Sequence, residues 1–252
     1  MKRLMSVERA GSETTTTWER LLQRYHSLSR RPSLEDPATR RMVFNAFRWT
    51  LGEWLPADKG ARTLDIGCGE GALLLFLQEG GYLDLDGFDL SPENVDLSHA
   101  AGLPVVRVFD VLRLGEYDPN LSFDLIMALD IVEHLPKQAV AGFLEPARSR
   151  LPSGGWLIIQ TPNLGSIQGA FTRYNDLTHE FGLTENTIVD LLSTAGFEAS
   201  QIEVRPAWNA TTFAGYLREI WVRSLHALVF AAEGSGRPRI PTKYLLVRAS
   251  RP

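Results

Sequence analysis

The stretch ALDIVEHLP brings three titratable side chains close together in the chain: Asp130, Glu133 and His134. At spacings i, i+3 and i+4, one helical turn would gather them on one face. A further histidine, His179, sits in RYNDLTHEFGLTEN. Neutral imidazole suits proton abstraction from a hydroxyl near pH 7, so His134 and His179 are candidate general bases. The same group could instead hold a divalent cation that lowers a hydroxyl's pKa, with Asp130, Glu133, His134 and His179 as the ligand set. A third reading gives His134 only a bracing role in its loop.

A second constellation lies upstream in ARTLDIGCGEGALLL, where Gly67, Gly69 and Gly71 alternate with Cys68 and Glu70. Glycines allow positive φ and let a ligand approach the backbone closely. Neither Lys nor Arg follows, which excludes a triphosphate loop. Asp65 precedes the first glycine, where it would repel a pyrophosphate and welcome an amino group. Asp89 in GFDLSPENV and Asp110 in VFDV supply two more carboxylates. A ligand with a cationic amino-acid end, a ribose and an adenine suits these acids better than a phosphate-rich one.

Several elements must carry these residues to one place. Residues 1–17 are polar and Ser/Thr-rich, and are expected to be disordered or frayed. Residues 18–55 read as cap helices, interrupted near Pro32 and Pro37, with Met42, Val43, Phe47, Leu51 and Leu55 on one face. Over 60–206 short apolar strands alternate with helices, among them SPENVDLSHAAG with Ser91 as N-cap and Pro92 at its first position. Residues 207–240 form a helical insert before the last strand, 241–252. The expectation is one α/β domain: a Rossmann-like, doubly wound, mostly parallel seven-stranded sheet, whose ligands sit beyond the carboxyl ends of the strands.

Composition narrows the classes. The chain has 252 residues, 44% hydrophobic, with a net charge of -4, so no whole-chain signature of nucleic-acid binding exists. One cysteine excludes an internal disulfide framework. The N-terminus lacks a continuous apolar core of a signal peptide, and the expected setting is the cytoplasm.

LDIGCGEG, GFDLSPENV, VFDV and FDLIMALDIVEHLP, in that order, resemble successive motifs of class I S-adenosylmethionine-dependent methyltransferases. The resemblance implies that Asp65 and the Gly67–Gly69 backbone hold the methionine moiety, with Cys68 as a small residue beneath it. It implies that Asp89 accepts the ribose hydroxyls and that Asp110 accepts the adenine amino group. Leu90 and Val111 would pack on the adenine ring, and Leu129 would lie near the sulfonium. The acidic and histidine elements also resemble the Glu-x-x-Glu-His set of ubiquinone-biosynthesis and small-RNA O-methyltransferases. Asp130 departs from that set in its first acid, so a divalent cation is an alternative rather than the expectation. RYNDLTHEFGLTEN is similar to a segment of bacterial polysaccharide and glycolipid methyltransferases, and implies a sugar or lipid-linked acceptor met by Arg173, Tyr174, Asn175 and Asp176. The insert carries Phe213, Tyr216, Leu217, Ile220, Trp221, Leu225, Leu228 and Val229 on a broad apolar arc. It is read as a packed helix or homodimer interface, or alternatively as a lid or shallow membrane contact.

Overall fold

In a computed structural model, residues 33–252 are described, except 119, 209, 211 and 235. The expectations for residues 1–17 and for the first cap helix up to residue 32 lie outside the described residues. The second cap helix is α1, Pro37–Leu51. Asp36 caps it, its carboxylate accepting from the backbone N–H groups of Ala38 (3.3 Å) and Thr39 (2.9 Å), and Pro37 opens the first turn. The Thr39 hydroxyl, and then these N–H groups, hold the Asp36 carboxyl below its ordinary pKa.

One correction concerns the face that α1 buries. Met42 points to solvent, 63% exposed, while Phe44 takes the inward position with Phe47 and Leu51. The spacing 44, 47, 51 follows the helical repeat, and Phe44 and Phe47 both meet Phe76, at 5.6 and 5.7 Å between ring centroids.

The strands then follow in alternation with helices: β1 Thr63–Ile66, α2 Ala72–Glu79, β2 Leu85–Asp89, α3 Pro92–Ala100, β3 Val106–Val108 and β4 Leu125–Leu129. After them come α4 Val140–Ser149, β5 Trp156–Pro162, α5 Gly169–Tyr174, α6 Glu185–Thr194, β6 Ile202–Pro206, α7 Phe213–Ala232 and β7 Tyr244–Ser250. Ser91 does cap α3, accepting from the Asn94 N–H, with Pro92 next.

The seven strands form one sheet in the order β3-β2-β1-β4-β5-β7-β6. Pairing is parallel from β3 to β5, and β7 runs antiparallel between β5 and β6. Helices cover both faces, so the central strands are buried on both sides. In β4, Leu125 and Met127 pack into one core with Phe44, Leu74 and Trp54, while Ile126 and Ala128 face the other with Phe88, Phe143 and Leu192. This two-residue alternation sets the register, since a one-residue slip would exchange the faces of every side chain. Strand order reverses at β1, which is flanked by β2 and β4, and the carboxyl ends of these strands open a crevice there.

Among the described residues, no helix is long and apolar enough to cross a membrane.

Candidate functional site

The crevice holds a cavity of about 260 Å³. Its walls include Asp65, Gly67, Cys68, Gly69, Asp89, Leu90, Asp110, Val111 and Leu129, every residue expected to meet the methyl donor. His134 lines it as well, and so do Phe47 of α1 and Gln160 of β5.

The glycine loop is shaped by backbone geometry. Gly67 has φ 70, and a Cβ there would lie 2.9 Å from the Ile131 side chain, so both conformation and space demand glycine. Gly69 has φ 57, and a Cβ there would meet nothing within 4 Å. The room above Gly69 is on the cavity side of the loop, where a ligand can come within contact of the main chain.

Asp89 holds that loop. Its Oδ2 accepts from the Gly69 N–H at 2.8 Å, and its Oδ1 accepts from the Ser91 N–H at 2.8 Å and the Asn94 side-chain amide at 3.0 Å. Asp65, one residue before the end of β1, is buried at 3% exposure. Burial, reinforced by the charge of Asp89, pushes its carboxyl well above the usual pKa range. Burial and the same two carboxylates raise the Cys68 thiol, which therefore stays protonated and is no nucleophile near neutral pH. Asp110 caps the short turn that follows it, its Oδ1 accepting from the Leu112 N–H at 2.9 Å.

The acid and histidine group departs from the expected single helical turn. Asp130 takes φ 53, a left-handed conformation that Asp tolerates at a cost, and its N–H donates to the Gln160 carbonyl at 2.9 Å. The Gln160 side-chain amide donates to both oxygens of its carboxylate at 3.1 Å. A short 3₁₀ turn, Val132–His134, follows. It sends Glu133 inward, where its carboxylate accepts from the Thr161 hydroxyl at 3.1 Å. Burial, with a further contribution from Asp130, lifts the Glu133 carboxyl well above the usual range.

His134 faces the cavity and meets the ring of His179 edge-on, at 4.7 Å between centroids. His179 arrives from the 175–182 loop, and its Nδ1 bonds the Thr172 carbonyl at 3.0 Å. The Glu180 N–H donates to the Glu133 carbonyl at 2.7 Å and ties this loop to the turn after β4. Glu133, His134 and His179 each offer one potential metal-ligand atom within 4.8 Å of the others, and Asp130 stands outside that group. Of the four residues named from the sequence as an alternative ligand set, the structure brings these three within that distance, while the Asp130 carboxylate is engaged by Gln160.

The 173–176 segment is also engaged differently from the expectation of a sugar-binding edge. The Arg173 guanidinium donates to the Glu180 carbonyl at 2.7 Å, and one Asp176 oxygen accepts from both the N–H (2.9 Å) and hydroxyl (2.6 Å) of Thr178. Sequence reasoning overlooked Thr178, Gln160 and Asn94. No spacing signal joins Gln160 to Asp130 or Thr178 to His134, since these partners lie 30 and 44 residues apart in the chain. Asn94 carried a signal: five residues beyond Asp89 and one turn into a helix, it is placed to donate back.

The insert helix α7 inverts the usual pattern. Its buried residues are Glu219 and His226, while Phe213, Tyr216, Leu217, Ile220, Trp221 and Leu228 are exposed. The Glu219 carboxylate accepts from the Ala210 N–H at 2.9 Å, and His226 Nε2 meets the Gly165 carbonyl at 3.2 Å. This second contact seats α7 against the loop that follows β5.

Comparison with known proteins fits this architecture. Residues 40–202 match the family described as methyltransferase domain. A ubiquinone biosynthesis O-methyltransferase of Paracidovorax citrulli is 29% identical over 184 residues, 63% of this chain and 76% of that protein. A 27-O-demethylrifamycin SV methyltransferase of Amycolatopsis mediterranei is 28% identical over 203 residues, 71% of this chain and 72% of its own. Among solved structures, a SAM-dependent methyltransferase from Archaeoglobus fulgidus superposes with a TM-score of 0.63 at 22% identity, covering 84% of this chain and 94% of that one. With the strand order, the glycine loop and the match over most of the chain in agreement, this protein belongs to the S-adenosylmethionine-dependent methyltransferases.

Proposed function

We propose that the protein transfers a methyl group from S-adenosylmethionine to a hydroxyl of a small organic acceptor, with His134 as general base. The observation that carries this reading is the single cavity that joins the glycine loop and Asp89 to His134. Asp110, Asp89, Asp65 and Leu129 lie at or near the ends of four neighbouring strands. At about 4.8 Å per strand, that row spans roughly 14 Å, enough for an elongated nucleoside bearing an amino-acid arm. Asp65 and Asp89 fit the donor: two acids crowd one another in a buried site, and an ammonium group relieves that repulsion. Asp89 suits a ribose diol as a charged acceptor, Asp110 an adenine amino group, and Leu90 and Val111 the faces of the ring.

The donor supplies a sulfonium whose methyl carbon is open to in-line displacement. His134 takes the proton of the acceptor hydroxyl as the oxygen–carbon bond forms and the carbon–sulfur bond breaks. Asp65 and Asp89 orient the donor, and Leu129 closes an apolar wall beside the reacting carbon.

For the acceptor, we favour an apolar hydroxylated ring compound of the quinone type over a free sugar. The related proteins named above are an O-methyltransferase of ubiquinone biosynthesis and a methyltransferase of a demethylrifamycin. The side chains expected to grip a sugar are in part engaged within the protein, while Phe171, Tyr174 and Leu177 near His179 are exposed apolar surface. Radiolabelled S-adenosylmethionine, incubated with the protein and an extract of the source organism, tests this after partition between butanol and water. Label in butanol is expected; label confined to water overturns the apolar acceptor.

A metal-assisted variant is favoured by one observation, the donor atoms of Glu133, His134 and His179 within 4.8 Å of one another. A divalent cation held there would lower the pKa of an acceptor hydroxyl. Calorimetric titration with Mg²⁺, Mn²⁺ or Zn²⁺ in the absence of any acceptor distinguishes the variants: saturable binding lost in Glu133→Gln supports the cation.

A further inference from the structure

The hydroxyl of Thr178 stands between two partners. Its oxygen is 2.6 Å from Asp176 Oδ1 and 2.7 Å from His134 Nδ1. A hydroxyl has one hydrogen. An ionised Asp176 carboxylate can only accept, so that hydrogen goes to Asp176, and the Thr178 oxygen is left to accept from His134. His134 must therefore carry its proton on Nδ1, and in the neutral ring the lone pair is on Nε2. The Asp176 oxygen is itself fixed by the Thr178 N–H at 2.9 Å, which closes a small turn around the pair. Thr178 is buried at 2% exposure, so water has little access to compete for the hydroxyl.

We infer that Asp176 and Thr178 are positioning residues for methyl transfer, a hydroxyl-bridged relay that fixes the ring orientation and tautomer of His134. The inference deepens the proposed role of His134 and rests on it for its catalytic meaning. Without the relay the two neutral tautomers of an imidazole interconvert, and the ring is free to turn about its bond to the chain. With it, Nε2 is always the nitrogen that can take a proton, or bind a cation if one is used. Neither residue needs to touch donor or acceptor. His179 repeats the device with a simpler partner, its Nδ1 meeting the Thr172 carbonyl, which can only accept. The two rings thus present the same nitrogen from two different anchors.

The tautomer can be measured without knowing the acceptor. The protein, which has five histidines, is examined with ¹⁵N-labelled imidazoles by NMR at mildly alkaline pH, above the ordinary imidazole range. The His134 signals are assigned by their loss in His134→Gln. The wild type is expected to show a protonated Nδ1 and an unprotonated Nε2. Thr178→Val, nearly the same shape without the hydroxyl, is expected to show averaged nitrogens, and Thr178→Ser to restore the wild-type pattern. Unchanged affinity for S-adenosylmethionine in all three shows that the fold is intact. A His134 protonated on Nε2 in the wild type overturns the relay, and so does a Thr178→Val spectrum identical to wild type. Label transfer into the extract is expected to fall roughly 10- to 100-fold in Thr178→Val, as when an outer hydrogen-bond partner of a working imidazole is removed. If His134→Gln keeps full transfer, the base role fails while the measured tautomer still decides the relay.

Discussion

The glycine loop with its acids and the 163–182 region with α7 border the same crevice but are held in contrasting ways. In the first, Asp65, Gly67, Gly69 and Asp89 all belong to two adjacent parallel strands and the turn between them and the next helix, and backbone conformation places them. In the second, and in the turn after β4 that packs on it, several groups depend on a partner from far along the chain. His134 leans on Thr178, Glu133 on Thr161, Asn163 on the carbonyls of Ile240 and Thr242, and His226 on Gly165. On the proposed reading the first region recognises a donor built from invariant parts, and backbone geometry is the most rigid way to do so. The second can change its acceptor by changing side chains, since the scaffold beneath it is independent of them.

Breaking the second region at its centre should have the largest effect. His134→Gln is expected to slow label transfer by roughly 10²- to 10⁴-fold, the usual range for loss of a general base, with donor affinity preserved. Equal losses in affinity and rate would place His134 in the first region instead. Asp89→Ala attacks the first region. It removes the acceptor of three bonds within the protein as well as the ribose partner, and calorimetry should show donor affinity reduced on the order of 100-fold, from about 1.5–3 kcal/mol per charged hydrogen bond. Unchanged affinity would end the assignment of β2 to the ribose.

Asp65 sharpens the contrast through pH. Its carboxyl is raised by burial and by Asp89, so the ligand-free protein holds a proton there more tightly than the unfolded chain does. Stability of the ligand-free form should therefore fall as pH rises from the ordinary carboxylate range through the raised value. The donor's ammonium favours the ionised acid, so binding should release a proton and tighten as pH rises over the same window. Calorimetry in buffers of different ionisation enthalpy reads the proton directly, and proton uptake on binding would refute the pairing.

The smallest effects separate the two faces of α7. Glu219→Ala leaves the Ala210 N–H without its acceptor and should cost about 1–3 kcal/mol in chemical denaturation. Trp221→Ala, at a position 65% exposed, should stay within about 0.5 kcal/mol. A larger loss at Trp221 than at Glu219 would mean that the outward apolar face is covered in solution.

How much of this was legible in the chain follows the same division. The strand and helix alternation and the Ser91 cap could be read because each is set by neighbours a few positions away, while the nine cavity residues from Asp65 to Leu129 were named from the resemblance of successive motifs to a known family. Met42 was misplaced and Phe44 missed, since the apolar arc from 42 to 55 is wide and packing on Phe76 chooses Phe44. Asp130, Glu133 and His134 were expected to cluster, yet Gln160 draws the first aside and Thr161 buries the second.

The amino-acid sequence by itself determined the glycine loop and its carboxylates, the half of the site we assign to the donor. Glycine conformations and strand-end carboxylates are local properties, and their order along the chain is their order across β1 and β2. Only the tertiary structure decided the contacts from Asp176 through Thr178 to His134, the pairing of Asp130 with Gln160, and the polar inward face of α7. The first depends on one hydrogen bond across 44 residues, between Thr178 and His134, and the last on burial that no periodicity announces. A side chain's partner at that distance is chosen by the folded sheet, after the chain has brought β4, β5 and the loops beyond them together.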